Sequence, residues 1–355
     1  MTNKGAKLPF LPFDPGKIET REVLRKEAQA RQVLAELKGS APVIPNQNIL
    51  ISAIALREAK ESSEIENIIT TNDELYKTLT IPARPIDSPV KEVINYRQAI
   101  YQGYNMVKKN RLIRMSDIVK IQETIVENNA GVRRLPGTAL VNDATGKIVY
   151  TPPQDYQEIR DLLDNFCKYF NDDEGSLWKM AVLHYQFESI HPFYDGNGRV
   201  GRILNILYLL LKNYLDTPIL YLSSYIINNK NDYYTLLQET RKKRNFERWI
   251  MYILDGIEDT SKSAIKKIQA IKNLLESTLV RARERCPKIY SKELIELIFE
   301  NPYSKIDFLV QKLGINRKTA SKYLKELEKE KFLTHQQAGK ETLYINTSLM
   351  DILTQ

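Results

Sequence analysis

The sequence predicts a mainly α protein, and three observations carry that expectation. Glycine (14) and proline (15) make up about 8% of the 355 residues, below the roughly 12% of average usage, and their scarcity favours long helices over a turn-punctuated all-β fold. Apolar residues recur at three-to-four spacing through most of the chain. Strand-like patterns are confined to two short segments. A hydrophobic share of 43% with 27% charged residues excludes disorder for most of the chain, and its length suits two or three domains.

Taken in order, residues 1–16 are Pro-rich and irregular. A helix is expected over Ile18 to Leu37, where Val23, Leu24, Ala28, Leu34 and Leu37 share a face and Gly39 is the stop. The Pro-Asn-Gln-Asn turn at 45–48 leads into helical Ile49 to Ala59, and the polar stretch ESSEIEN is expected to start a second helix. Helical patterns continue over Val90 to Lys108, Met115 to Asn128, Gln157 to Asn171, Leu177 to Ser189, Asn197 to Tyr214 and Asp232 to Gly256. Between Arg133 and Pro153, β-branched residues flank Asp143-Ala144-Thr145-Gly146 and predict a small hairpin flap. After Gly256 a charged periodic stretch reads as a connecting helix that ends at Cys286-Pro287.

The C-terminal segment has helical patterns at Ser291 to Phe299, Ile306 to Leu313 and Arg317 to Lys331, then two β-like runs around Gly339. Three helices and a hairpin predict a winged helix-turn-helix, with Asn316 placed to cap the third helix.

Several function classes drop out. The longest apolar run, Ile203 to Leu211, is broken by Asn205 and closed by Lys212, so no membrane span is expected. The N-terminus lacks the apolar core of a secretion signal. Cys167 and Cys286 match neither a disulfide framework nor a zinc spacing. A cytoplasmic protein is the expectation. The net charge of +8 is spread along the chain: residues 286–355 carry 11 Lys+Arg against 9 Asp+Glu, a difference of +2. Arg317, Lys318, Lys322 and Lys325 on the expected recognition helix leave DNA binding, protein contact or dimerisation, and a passive scaffold all open.

One stretch carries chemistry: His191-Pro-Phe-Tyr-Asp-Gly-Asn-Gly-Arg-Val-Gly-Arg202. Gly196 and Gly198 around Asn197 let successive N–H groups converge as an anion-binding nest, and the positive end of the helix starting near Asn197 reinforces it. Arg199 and Arg202, spaced i, i+3 on the first turns, can face one anion. Beside this polyphosphate cradle stand His191, a candidate general base, and Asp195, a carboxylate able to hold magnesium on phosphate oxygens. His184, in the apolar run Ala181 to Phe187, reads as a core histidine. Glu188 is open to two readings, orienting His191 or forming a helix-surface salt bridge.

HPFYDGNGRVGR satisfies the pattern H-x-F-x-[DE]-G-N-G-R-x-x-R, and in it the chain resembles the Fic family of protein adenylyltransferases. The resemblance implies a helical bundle that transfers AMP from ATP, with magnesium, to a Ser, Thr or Tyr hydroxyl of a target protein or of itself. It also implies roles: His191 as base, Asp195 on magnesium, Gly196, Asn197, Gly198 and Arg199 around the phosphates, Arg202 on the γ-phosphate, and Phe193 packing the loop. The flap residues Val149, Tyr150 and Thr151, followed by Pro152-Pro153, resemble the family's target-binding hairpin, where a substrate segment adds as a strand. Tyr233 and Tyr234 resemble tyrosines on the nucleotide side, and Arg241 stands where family members often have asparagine.

Ser62-Ser63-Glu64-Ile65-Glu66-Asn67 fits the family's inhibitory pattern [S/T]-x-x-x-E-[G/N]. The resemblance implies that Glu66 engages Arg202 and keeps the γ-phosphate from docking. Ser63 and Glu66 also spell a helix capping box, which needs no regulation. The implied organisation is an N-terminal helical region with the inhibitory helix (1–110), a Fic catalytic core (111–256), a linker helix (257–285) and a winged helix domain (286–355). Alternatives are AMP removal or transfer of another nucleotide by the same site, and a nucleotide-sensing DNA-binding regulator; a homodimer is left open.

Overall fold

The computed structural model describes residues 7–81, 87–141 and 145–354. Four helices, α1 (Arg21–Ser40), α2 (Gln47–Ile65), α3 (Asn72–Thr80) and α4 (Ser88–Asn110), form the N-terminal part. Next come α5 (Met115–Val126), the strands β1 (Leu140–Val141) and β2 (Ile148–Tyr150), α6 (Tyr156–Asn171), α7 (Leu177–Ile190) and α8 (Asn197–Leu211). The short α9 (Ser223–Asn228), α10 (Lys230–Lys243) and the long α11 (Glu247–Arg285) lead to the C-terminal part. That part comprises α12 (Lys292–Glu300), β3 (Tyr303–Ser304), α13 (Ile306–Leu313), α14 (Arg317–Lys329), β4 (Thr334–Ala338), β5 (Glu341–Ile345) and α15 (Thr347–Thr354).

The core sits around α7 and α8, which pack on each other. Every residue of α7 is buried, and so are all of α8 except Gly198 and Leu211. A helix that is apolar all round has to be enclosed by others, and α4, α5, α6 and α11 do this. On the core side of α7, His184 lies flat on Trp249 of α11, ring centres 5.9 Å apart. The helix α2 packs against α4 and α9 and reaches α8, which brings its C-terminal end to the start of α8.

The boundaries differ from expectation where tertiary contact overrides local pattern. ESSEIEN does not begin a new helix: α2 runs through Ser62 and Ser63, both buried, to Ile65. The capping-box reading of Ser63 and Glu66 is therefore corrected, because these residues close a helix. The segment expected as one helix over Asp232 to Gly256 breaks at Arg244, whose left-handed backbone (φ 54°) ends α10. Conversely, α11 continues unbroken past Gly256. At Gly256 a Cβ would lie 2.9 Å from Tyr225 Cδ1, so the glycine serves close packing of α9 on α11 rather than a helix stop. Further, α1 runs past Gly39 to Ser40, α8 stops at Leu211 rather than Tyr214, and α3, α9, α15 and β3 had no sequence signal strong enough to mark them.

The flap is an antiparallel pairing of β1 with β2; Asp143 and Ala144 of its expected turn lie outside the described residues. The C-terminal part is a winged helix-turn-helix, α12, α13 and α14 with an antiparallel sheet ordered β3-β5-β4, followed by α15. Asn316 caps α14 as expected, its Oδ1 accepting from Thr319 N–H at 2.9 Å. This part joins the body through α12 and α15, which pack on α2 and α11. It is also joined through Tyr303, whose ring stacks on Tyr76 of α3 at 5.5 Å and whose hydroxyl donates to Asp73 at 2.8 Å. No described helix is long and apolar enough to cross a membrane.

Candidate active site

The end of α7 and the start of α8 meet in one tight loop. His191 ends α7 in a left-handed conformation (φ 47°), donating its N–H to Phe187 O at 3.0 Å. Its carbonyl accepts from Arg133 Nε at 2.8 Å, and the same guanidinium reaches Pro153 O. Arg133 N–H donates to Pro192 O at 2.9 Å, so one fully buried arginine ties the loop to the end of the flap segment. Phe193 is buried, as its expected packing role requires. The Asn197 amide closes the loop: Oδ1 accepts from Phe193 N–H at 2.9 Å and Nδ2 donates to Phe193 O at 2.8 Å. Both ends of that side chain are thus taken up by loop backbone, and Asn197 shapes the cradle rather than offering its side chain to an anion. Gly196, at φ 80°, makes the left-handed turn into α8 that an L side chain rarely adopts.

Burial pushes the His191 imidazole down to about 4, helped by the positive charges of Arg241 and Arg133, with Glu66 opposing. The ring is therefore neutral at pH 7, and its buried Nδ1 has no hydrogen-bond partner among the described residues. That is the state of an available base.

The motif arginines part company. Arg202, 4% exposed, donates Nε to Ser62 Oγ at 2.7 Å and Nη2 to Ser62 O at 2.9 Å and Glu66 Oε1 at 2.8 Å. Arg199 instead donates Nη1 to Glu92 of α4 at 2.8 Å, with Nη2 3.5 Å from Asp195. In place of the one shared anion expected, each arginine thus meets its own carboxylate from the N-terminal region. Burial works against the Glu66 charge, but Arg202, with Arg199 and Lys230, outweighs it and holds the carboxyl below its ordinary range. Gly198 is pressed against this lock, since a Cβ there would overlap Glu66 Oε1. Asn67, at φ 64°, turns the chain away directly after Glu66.

Asp195 is exposed at the rim, one oxygen accepting from Gly196 N–H at 2.6 Å. Among the described residues no three His, Cys, Asp or Glu side chains form a self-sufficient metal cage. A lone carboxylate beside a phosphate cradle suits magnesium, which takes one or two protein carboxylates and completes its shell with phosphates and water.

At the flap, Tyr150 donates its hydroxyl to Ser189 O at 2.8 Å, and the Arg241 guanidinium lies 3.9 Å over its ring. Arg241 also donates to Glu188 O at 3.0 Å. Val149 and Thr151 are exposed. Tyr234 is exposed whereas Tyr233 is buried, its hydroxyl 2.8 Å from His184 Nε2. His184 is a core histidine as expected, pushed down to about 3 by burial and then by Arg202. Neither reading of Glu188 holds in full: it is buried, faces Gly201, and makes no ion pair or bond to His191 among the described residues.

Sequence reasoning missed Arg133, Glu92 and Glu58. The last is a buried residue of α2, where its Oε1 accepts from Tyr96 and Ser223 hydroxyls at 3.0 and 2.7 Å. Their only sequence signal is charge, in helical stretches for Glu92 and Glu58 and in a loop for Arg133, which ordinary surface residues share.

Three family models match in succession. "Fic/DOC family N-terminal" covers residues 24–105, "Fic/DOC family" covers 112–209, and "Protein adenylyltransferase SoFic-like, C-terminal domain" covers 274–349. The chain is 23% identical over 225 residues to "Protein adenylyltransferase Fic" of Aedes aegypti, covering 58% of this chain and 43% of that protein. It is 28% identical over 150 residues to a probable protein adenylyltransferase of Aquifex aeolicus (strain VF5), covering 40% and 44%. It thus spans under half the length of either relative. Among solved structures, a Fic family protein from Desulfovibrio desulfuricans superposes with TM-score 0.61 at 18% identity, over 95% of this chain and 98% of that one. A Fic domain containing signaling protein from Bacteroides thetaiotaomicron gives 0.55 at 17%, over 68% and 97%; both likenesses concern the fold. With the motif loop, its neutral histidine and the two family models lying end to end over residues 24–209, the chain belongs to the Fic/DOC family.

Proposed function

We propose that this chain transfers AMP from ATP to a Ser, Thr or Tyr hydroxyl of a protein, and that Glu66 restrains it. The observation that carries the reading is the neutral His191 imidazole at the mouth of the α8 N-terminus, its Nδ1 without a partner among the described residues. A hydroxyl presented along the open flap beside Val149, Tyr150 and Thr151 gives its proton to His191 while its oxygen attacks the α-phosphorus. A P–O bond forms to the target, the bond from the α-phosphorus to the bridging oxygen breaks, and pyrophosphate leaves. The N–H groups of Gly196, Asn197 and Gly198, the α8 N-terminus and Arg199 would stabilise the phosphate charge. Asp195 would hold a magnesium ion arriving with the nucleotide, and that ion supplies charge neutralisation on the phosphate oxygens.

Arg202 is the site for the γ-phosphate, and Glu66 and Ser62 already take its N–H fork. One planar guanidinium cannot serve both anions with the same N–H groups, so ATP would sit with its α-phosphorus misplaced for attack. Tyr234, exposed on α10, is the candidate on the nucleoside side. The test is label transfer from ATP labelled at the α- or the γ-phosphate to protein, self included. Transfer of α-label by Glu66→Gly, weaker in wild type and absent with His191→Ala, is the expected result. Transfer of γ-label alone would mean phosphorylation and end the proposal.

A further inference from the structure

The C-terminal helix α14 carries a charge pattern that the reaction does not use. Its buried residues are Ala320, Leu324 and Leu327. At 3.6 residues per turn, Lys318, Lys322, Lys325 and Lys329 fall within about 60° of one another, on the side opposite that buried stripe. All four are exposed, and none makes an ion pair or hydrogen bond among the described residues. Of the nearby carboxylates, Asp307 pairs with Arg317, Glu300 with Lys312 and Glu328 with His335, while Glu326 and Glu330 at the far end of the same helix form no ion pair with these lysines among the described residues. Beside the helix, β4 exposes Thr334, His335, Gln336 and Gln337, with Lys340 at the turn into β5.

We infer that α14 and the β4–β5 wing form a docking surface for duplex DNA. Four unpaired lysines spread over about 16 Å of one helix face form a rigid cationic rail matched to a polyanion. The large exposed apolar side chains of the described residues lie in the body, among them Ile69, Leu135, Ile148 and Tyr194, and none lies beyond Val280. A protein or membrane partner docking by apolar burial would therefore find nothing to bury on this face. B-form DNA has a major groove wide enough for a helix, whereas the major groove of duplex RNA is too narrow. The polar wing side chains suit contact with the adjoining backbone.

The test is fluorescence anisotropy of the full chain with a labelled 30-base-pair DNA duplex of mixed sequence, and with the same sequence as duplex RNA, across a salt series. DNA binding is expected, tighter than to RNA, with log K falling on log salt with a slope of about −3.6 for four phosphates neutralised. The variant with Lys318, Lys322, Lys325 and Lys329 all changed to Gln is expected to lose at least about tenfold in affinity at 50 mM salt, with its melting temperature and label transfer kept. Equal binding by that variant, equal affinity for RNA, or no DNA binding by the wild type would each overturn the inference.

Discussion

Glu66 Oε1 lies 2.8 Å from Arg202 Nη2, joining the end of α2 to the second turn of α8 across 136 residues of sequence. The carboxylate is 35% exposed while the guanidinium is 3% exposed, so the acid forms a lid on a buried cation. Replacing Glu66 by Gly is expected to raise AMP transfer by about tenfold or more, the equivalent of about 1.4 kcal/mol in the transition state. Ser62→Ala should act in the same direction and by less. Because Arg202 holds the Glu66 carboxyl below its ordinary range, lowering the pH to about 5 should not mimic the substitution. Initial rates of α-label transfer at saturating ATP check all three; an unchanged Glu66→Gly rate would refute the restraint.

Burial lowers His191 to about 4 and His184 to about 3. As pH falls, the unfolded chain takes up these protons first, near the ordinary value of about 6.5. Their contribution to stability is therefore complete above about 6.5 and is lost on acidification towards those lower values, at roughly 1.4 kcal/mol per pH unit per group. Urea midpoints between pH 7 and 4 should show this fall, and His191→Asn should make it shallower. The same shift predicts that the acid limb of kcat/KM for Glu66→Gly lies at or below about 4 rather than near 6.5, since the variant loses the one charge that raises His191.

Glu58 titrates with the opposite sign. Burial pushes it up to about 8, with Glu61 adding to the rise while Ser223, Arg202 and Tyr96 oppose it. A raised carboxyl contributes fully below the unfolded value of about 4.5 and loses that contribution as pH climbs through about 8. Glu58→Gln keeps an acceptor for Tyr96 and Ser223 and removes the titration. The variant's melting temperature should gain on the wild type between pH 6 and 9; a constant gap would contradict the shift.

Arg133→Ala removes the donor that holds His191 O and reaches Pro153 O. Leaving part-buried carbonyls unpaired, in a space emptied of a large buried side chain, should cost about 3 kcal/mol. Transfer should drop as well, because the His191 backbone loses its anchor. Arg133→Lys, with one nitrogen in place of a fork, should recover only part of either. Chemical unfolding and label transfer measured together on the Glu66→Gly background test this pair.

Gly256→Ala would ordinarily stabilise a helix by about 1 kcal/mol. Here its Cβ would meet Tyr225 Cδ1 at 2.9 Å, and that ring packs on Tyr252 at 5.1 Å. Overpacking of this kind costs about 1–3 kcal/mol, so the net change is expected to be destabilising by about 1 kcal/mol. A rise in melting temperature would show that Tyr225 moves aside freely.

Much of the fold was legible because long helices advertise themselves by period. Ile306 to Leu313 needed only the spacing of its apolar residues, Leu177 to Ser189 the length of its apolar run, and the start of α14 only Asn316 as its cap. Reading ESSEIEN as a helix start failed because the capping-box pattern is local, whereas burial of Ser62 and Ser63, with Ser62 bonded to Arg202, goes with α2 running on to Ile65. The Gly256 boundary failed similarly: glycine usually weakens a helix, but here it makes room for an aromatic ring from α9.

By itself the sequence determined the mainly α character and the motif loop with its glycines and arginines, while the pairing of the 62–67 motif with Arg202 was implied only by the family resemblance. The first two are properties of residue type and short-range order, which spacing records. Only the tertiary structure decided that Arg199 meets Glu92, that the Asn197 amide closes its own loop, that Arg133 anchors His191, and that the histidine is neutral. Each of those depends on burial and on charges brought together from distant parts of the chain, and neither desolvation nor a long-range Coulomb interaction leaves a trace in local sequence.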